Sequence, residues 1–247
     1  MTLAARSMGK ATSRRGEKIL GVCAVASLAT SLVLSLVVAP PDAVQGEVQR
    51  LMYIHVPAAW LAYLSFLVVF VASIAYLRTN RVRWDRIAAA SAEIGVLFTA
   101  LAIALGALWG KPVWGTWWTW DPRLTTTAVL LLIYVGYLAV RKITDNPSRR
   151  ARWSAVIGVV GFVDVPIVHL SVVWWRSLHQ GPTLVRLGGP EIHGSMLLAL
   201  LVGVAAFTLV YAYLMTVRLR VGRLEERAAR EALSPVIGAP EPEEVEV

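Results

Sequence analysis

The stretch Trp109-Gly110-Lys111-Pro112-Val113-Trp114-Gly115-Thr116-Trp117-Trp118-Thr119-Trp120-Asp121-Pro122-Arg123-Leu124 holds five of the chain's 10 tryptophans. It lies between two long apolar runs, residues 87–108 and 124–140. A segment so placed reads as a loop that leaves a membrane and returns to it, with spanning helices on either side. Trp joins a large flat apolar face to one N–H donor. A dense set of them makes either an interfacial anchor or a surface for something large, flat and greasy.

Working outward, the composition supports the membrane reading. Hydrophobic residues make up 57% of the 247 and charged residues 16%, with a mean hydropathy of +0.61. A soluble domain carries about 25% charged residues. The formal charge is +8, but the basic residues cluster at the ends of apolar runs. That pattern orients a protein in a membrane and argues against a nucleic-acid partner. The single cysteine, Cys23, sits inside an apolar run and is expected to be an inert core residue. No Cys-x-x-Cys pair and no Cys-x-x-Cys-His occur, so neither a zinc knuckle nor a covalently attached c-type haem is encoded.

The order of elements predicts an all-α integral membrane protein with six transmembrane helices and a Trp-rich outer-face loop, 109–124, between helices 3 and 4. Residues 1–18 are polar and basic. The first span, about 19–39, has the roughly 20 apolar residues that cross a bilayer and ends at Pro40-Pro41. Pro is tolerated in a first helical turn, so the second span is expected from Pro57 to Leu77, with His55 at its mouth. The remaining spans are expected near 87–108, 124–140, 153–175 and 194–217. The domain division is therefore 1–18, the helical domain 19–217, and a tail 218–247 that begins basic and ends acidic, its end expected to be disordered. Six spans put both termini on one side. Of the Lys and Arg residues, 19 fall on the side of the termini and five on the other. The positive-inside rule then makes both termini cytoplasmic. The tryptophan loop, His55 and the 176–193 loop share the outer face.

An aromatic belt explains one or two interfacial tryptophans; five exceed that need. Trp114, Trp117 and Trp118 have the i, i+3, i+4 spacing of one face of a short interfacial helix. Gly110 and Gly115 allow a ligand close to the backbone. His55 and His179 each stand near an outer helix end. Two neutral imidazoles beside a flat aromatic platform suit axial coordination of haem iron. Arg123, Arg176 and Arg186 share that face and can pair with propionates; contact with lipid headgroups or solvent explains them as well. His169 and His193 are expected to serve helix packing. Glu93 and Asp164 are intramembrane acids, costly to place there, and Asp164 is expected to make a local hydrogen bond beside Pro166.

With these residues in hand, the sequence resembles the tryptophan-rich WWD family of haem-handling proteins in cytochrome c assembly, and within it the CcmC-like branch. The likeness rests on the 109–121 segment, on Tyr53-Ile54-His55-Val56-Pro57-Ala58-Ala59-Trp60, and on Trp174-Trp175-Arg176-Ser177-Leu178-His179-Gln180-Gly181. It covers nearly the whole chain; the larger CcmF-like and CcsA-like relatives carry more spans. The resemblance implies an inner-membrane protein that holds haem b transiently, as cargo, and presents it to the chaperone CcmE, in association with CcmA, CcmB and CcmD. It implies a binding and delivery protein rather than an enzyme, with help in covalent attachment to the chaperone left open. By the same likeness His55 and His179 match the haem-associated histidines, and Trp109, Trp114, Trp117, Trp118, Trp120 and Asp121 form the platform. Asp121 can cap the next helix, hydrogen-bond a Trp N–H or guide the chaperone, and the sequence leaves these open. His169 departs from the family pattern.

Three other readings compete. A cytochrome b-like electron carrier needs facing His pairs inside the spans, and only His169 lies within one. A permease needs a polar midplane path, for which Glu93 and Asp164 are thin material. A haem lyase component of the WWD type differs from the delivery reading chiefly in span number.

Overall fold

A computed structural model describes residues 3–181 and 192–237, with side chains over 15–181 and 192–228. Among the described residues seven α-helices follow in order: α1 (Leu3–Val33), α2 (Met52–Thr79), α3 (Val82–Trp114), α4 (Pro122–Ile143), α5 (Pro147–Gly161), α6 (Asp164–Trp174) and α7 (Gly194–Ile237). A π-helical turn, Leu34–Val38, prolongs α1, and a 3₁₀ turn, Glu47–Leu51, leads into α2. Among the described residues there is no strand. Within the described residues six helical stretches are long and apolar enough to cross a membrane, α5 and α6 together making the fifth.

Lipid tails are as apolar as leucine, so close packing and interhelical hydrogen bonds hold such helices together. Helix α2 is the hub. Its Ala62, Phe66, Val69 and Ala72 pack with Ala88 and Ala92 of α3, Leu130, Tyr134 and Tyr137 of α4, and Val165 and Val168 of α6. Phe66 stacks on Tyr134 with ring centroids 3.7 Å apart. Gly95 of α3 faces the same ring, and a Cβ there would lie 2.5 Å from Phe66 Cε1. The second side of α2 packs Ala58 and Leu61 against Ile94, Phe98 and Ala102 of α3 and Tyr211 of α7. Ser91 donates to the Ser65 carbonyl at 2.7 Å and lies 2.8 Å from the Tyr211 hydroxyl. That chain joins α2, α3 and α7 inside the bundle, where such bonds contribute about 1 kcal/mol each.

One end of the bundle, here the basic end, is tied by ion pairs. Arg141 grips Asp85 through two bonds of 2.5 and 3.0 Å. Arg86 and Glu226 form a two-bond fork at 2.7 Å each. Arg218 forms another with Glu93, and Arg220 reaches Glu17. The opposite end carries Trp109, Trp114, Trp117, Trp118, Trp120, Trp174 and Trp175 and the connections 39–51, 115–121 and 175–181, and is called the tryptophan end below.

Several expectations change. Helix α2 starts at Met52, not Pro57, because Met52 and Tyr53 are buried against Met196, Ala199 and Leu200 of α7. Pro57 therefore sits in the second turn, and His55 lies inside the helix. Helix α3 runs on through Trp114 and ends at Gly115, whose φ of 77° reverses the backbone. Trp109 and Trp114 are thus helical, the connection shrinks to 115–121, and no short helix carries Trp114, Trp117 and Trp118 together. Helix α1 extends into the basic N-terminal segment and α7 continues past Val217, where Arg218, Arg220 and Glu226 make ion pairs of the basic end. Cys23 is exposed on the outward side of α1 rather than in a core. Asp164 makes no local hydrogen bond: its Oδ2 is buried and unpartnered. The expected disordered end of the tail, from 238 onward, lies outside the described residues, as does Arg186.

Candidate functional site

The tryptophan end is assembled from short polar signals around one buried carboxylate. Asp121 precedes Pro122, a pairing that suits a helix N-cap with Pro at the first position. Its Oδ1 accepts from the Arg123 backbone N–H at 2.9 Å, capping α4. The same carboxylate reaches across to the connection after α6. Oδ1 accepts from Ser177 Oγ at 3.0 Å and Oδ2 from the Leu178 N–H at 2.7 Å. Ser177 Oγ in turn accepts from the His179 N–H at 3.1 Å.

Arg123, in the first turn of α4, reaches α6 and the same connection. Its guanidinium donates to the carbonyls of Val168 (3.3 Å) and His169 (3.0 Å), inside the last two turns of α6. Another nitrogen lies 3.3 Å from His179 Nδ1. The Gln180 carbonyl lies 3.1 Å from that same Nδ1. Arginine only donates and a carbonyl only accepts, so Nδ1 satisfies one of them at a time. Burial, reinforced by the Arg123 guanidinium, pushes the His179 imidazole below the usual 6.5, against the opposing pull of the Gln180 carbonyl and Asp121. His179 is therefore neutral at pH 7, the form that ligates metals.

His55 approaches from α2. Its ring meets Trp109 edge-on at 5.8 Å. Gly106, one turn before Trp109 on α3, makes the room, since a Cβ there would lie 3.1 Å from His55 Cε1. Trp109 is held in place by its Nε1–H, which donates to Gln45 Oε1 at 2.8 Å. The Nδ1 of His55 is buried without a hydrogen-bond partner. Trp114 lies 6.4 Å from His179, packed over Gly110, where a Cβ would sit 2.9 Å from the indole. The last turns of α3 thus present one tryptophan to each histidine.

The other tryptophans are more open. Trp117 is 55% and Trp120 81% exposed, while half-buried Trp118 meets Trp120 edge-on at 5.8 Å. Trp174 and Trp175 form a second exposed pair, and Arg176 is exposed beside them. His169 stands apart from the pair, edge-on to Tyr63 at 6.3 Å. His193 bonds Ser195 at the start of α7. Among the described residues no group of three or more His, Cys, Asp or Glu side chains converges as a metal cage. Gln45, Gly106 and Ser177 were missed in the sequence. Only Ser177 carried a local signal, standing two residues before His179 as a backbone-bonding hydroxyl.

Residues 1–234 match the family described as CcmC, Heme exporter protein C. The Heme exporter protein C of Bradyrhizobium diazoefficiens is 41% identical over 228 residues, covering 89% of this chain and 86% of that protein. The Escherichia coli K12 protein of the same name is 36% identical, with 81% of each chain covered. A ccmC-like mitochondrial protein of Marchantia polymorpha, described as a cytochrome c biosynthesis protein, is 36% identical over 78% of this chain and 82% of its own. The tryptophan-rich helix end, the two histidines and six membrane-length helices are therefore found in a chain that belongs to the CcmC family of heme exporter proteins.

Proposed function

We propose that the protein holds haem at the outer face of the cytoplasmic membrane and passes it to the periplasmic chaperone CcmE during c-type cytochrome maturation. Haem is the cargo, held by His55 and His179 at the iron. The observation that carries this reading is the placement of both imidazoles beside tryptophans of one helix end, Trp109 against His55 and Trp114 against His179. Ligation needs neutral imidazole, and the lowered His179 value supplies it. Exposed Trp117 and Trp120 offer further flat surface for the macrocycle, and exposed Arg176 offers a guanidinium for a propionate. Arg123 is already engaged with two carbonyls and is less suited to that role. The positive-inside count supports cytoplasmic termini and a tryptophan end on the outer face. Association with CcmA, CcmB and CcmD belongs to the same reading.

The test is an absorption spectrum of the purified protein with haem. His55→Ala and His179→Ala should each change the spectrum, and the double variant should lose ligation by histidine. Unchanged spectra in all three variants would sink the ligand assignment. Trp117→Ala combined with Trp118→Ala should lower haem retention while leaving membrane insertion intact.

A further inference from the structure

We infer that Asp121 is the positioning residue for His179, acting as a latch on the connection after α6 rather than as part of the surface that meets the cargo. The functional part of this inference rests on the haem-holding reading above. Three facts carry it. Asp121 is only 8% exposed, while nearby Trp117 and Trp120 are 55% and 81% exposed. Each of its oxygens is used: Oδ1 by the Arg123 N–H and Ser177 Oγ, and Oδ2 by the Leu178 N–H. Beyond the cap, the residues it binds are the two that precede His179, whose own N–H closes the chain by donating to Ser177 Oγ.

The geometry acts in two directions. Because Asp121 caps α4 through a backbone bond, it is fixed to a rigid helix end. Because it also accepts from Ser177 and Leu178, it transfers that fixed position to a stretch with no helix of its own. Asp121 is itself buried, so its bonds to the Arg123 and Leu178 N–H groups and to Ser177 are shielded from water. Among the described residues, Arg123 also grips the stretch, reaching the His179 ring. Asp121 therefore sets where the His179 backbone stands, and Arg123 acts on the ring it carries.

Asparagine in place of Asp121 makes the test sharp. It keeps one acceptor for the helix cap and replaces the other oxygen with a donor, which cannot accept from the Leu178 N–H. In the haem-free protein, amide hydrogen exchange of the peptide covering Ser177–Gln180 should speed up about tenfold or more in Asp121→Asn, with exchange in α2 and α4 unchanged. In the haem-loaded protein, Asp121→Asn should shift the spectrum toward that of His179→Ala. Added imidazole should restore the wild-type spectrum in both, and the double variant should match the single ones. Ser177→Ala should give a smaller change of the same kind, and Ser177→Thr should reverse it. Wild-type exchange in the Ser177–Gln180 peptide of Asp121→Asn overturns the latch, whatever the spectra show. Faster exchange there with a wild-type haem spectrum overturns its control of His179. If His179→Ala itself leaves the spectrum unchanged, the haem-ligand reading fails, and the exchange result still decides the latch.

Discussion

The two ends of the bundle are fastened by different chemistry. At the basic end, charged side chains on one helix bind charged side chains on another: Arg141 to Asp85, Arg86 to Glu226, Arg218 to Glu93. Both partners belong to regular helices, and the result is helices joined to helices. At the tryptophan end the polar side chains mostly bind backbone. Asp121 holds the N–H groups of Arg123 and Leu178, Arg123 holds two carbonyls of α6, and Arg50 holds the carbonyls of Ser35 and Ala39. Side-chain bonds to backbone fix the path of irregular segments, and that path decides where His179 and the tryptophans stand. One end is built for stability, and the other for aim.

Substitutions can test this contrast, and the largest effect should come from the core that both ends share. Gly95→Leu must push Phe66 aside where a Cβ alone would be 2.5 Å away. Overpacking of this kind costs about 3 kcal/mol, and thermal unfolding in detergent should show a large loss of stability. Wild-type stability would refute the tight α2–α3 contact. Next in size is Asp85→Ala at the basic end. It leaves Arg141 mostly buried and unpaired, a loss of about 3 kcal/mol or less at a helix end near water. The haem spectrum should stay unchanged; a changed spectrum would mean that the two ends are not independent.

Arg123→Ala should show the reverse pattern. Stability should fall by about 1 kcal/mol, while the spectrum changes because the end of α6 and the His179 ring lose their donor. A variant that unfolds readily with an unaltered spectrum would place Arg123 with the stabilising groups instead. The pH response is smaller. His179 has a lowered value in the folded protein, so the unfolded chain binds its proton first as pH falls through 6.5. Stability contributed by the neutral ring is complete above that pH and is lost below it, toward the folded value. Comparing wild type with His179→Gln between pH 7.5 and 5 should show the wild type losing more stability. Equal losses would exclude this contribution. Smallest of all is Glu226→Ala, which removes a partly exposed pair with Arg86 and should cost under about 1 kcal/mol.

The sequence carried the spans and the concentration of aromatic and imidazole groups near one side, because hydropathy and charge are summed over many residues. It carried local geometry less well. Placing Pro57 at a first turn put His55 outside a helix that in fact begins at Met52, since burial of Tyr53 extended the helix backward. The spacing of Trp114, Trp117 and Trp118 suggested one helical face, but a single left-handed residue, Gly115, separates the first from the others. Glu93 looked like an isolated acid because its partner, Arg218, lies 125 residues away. Ser177 and Asp121 are 56 residues apart, and no periodic pattern links them. What pattern reading captured is what repeats; what it missed is contact between distant single residues.

The length of α3 has a consequence for depth. Its 33 residues rise about 50 Å, against a hydrocarbon layer of about 30 Å. The apolar stretch from 87 to 108 matches that layer. The remaining turns at the far end, which carry Trp109 and Trp114, add about 9 Å and extend into the headgroup zone. The helix thus acts as a ruler, setting the level of the aromatic groups relative to the bilayer. Removing one turn from its middle would draw both indoles about 5 Å toward the hydrocarbon, and a thicker bilayer would do the same without any change in sequence.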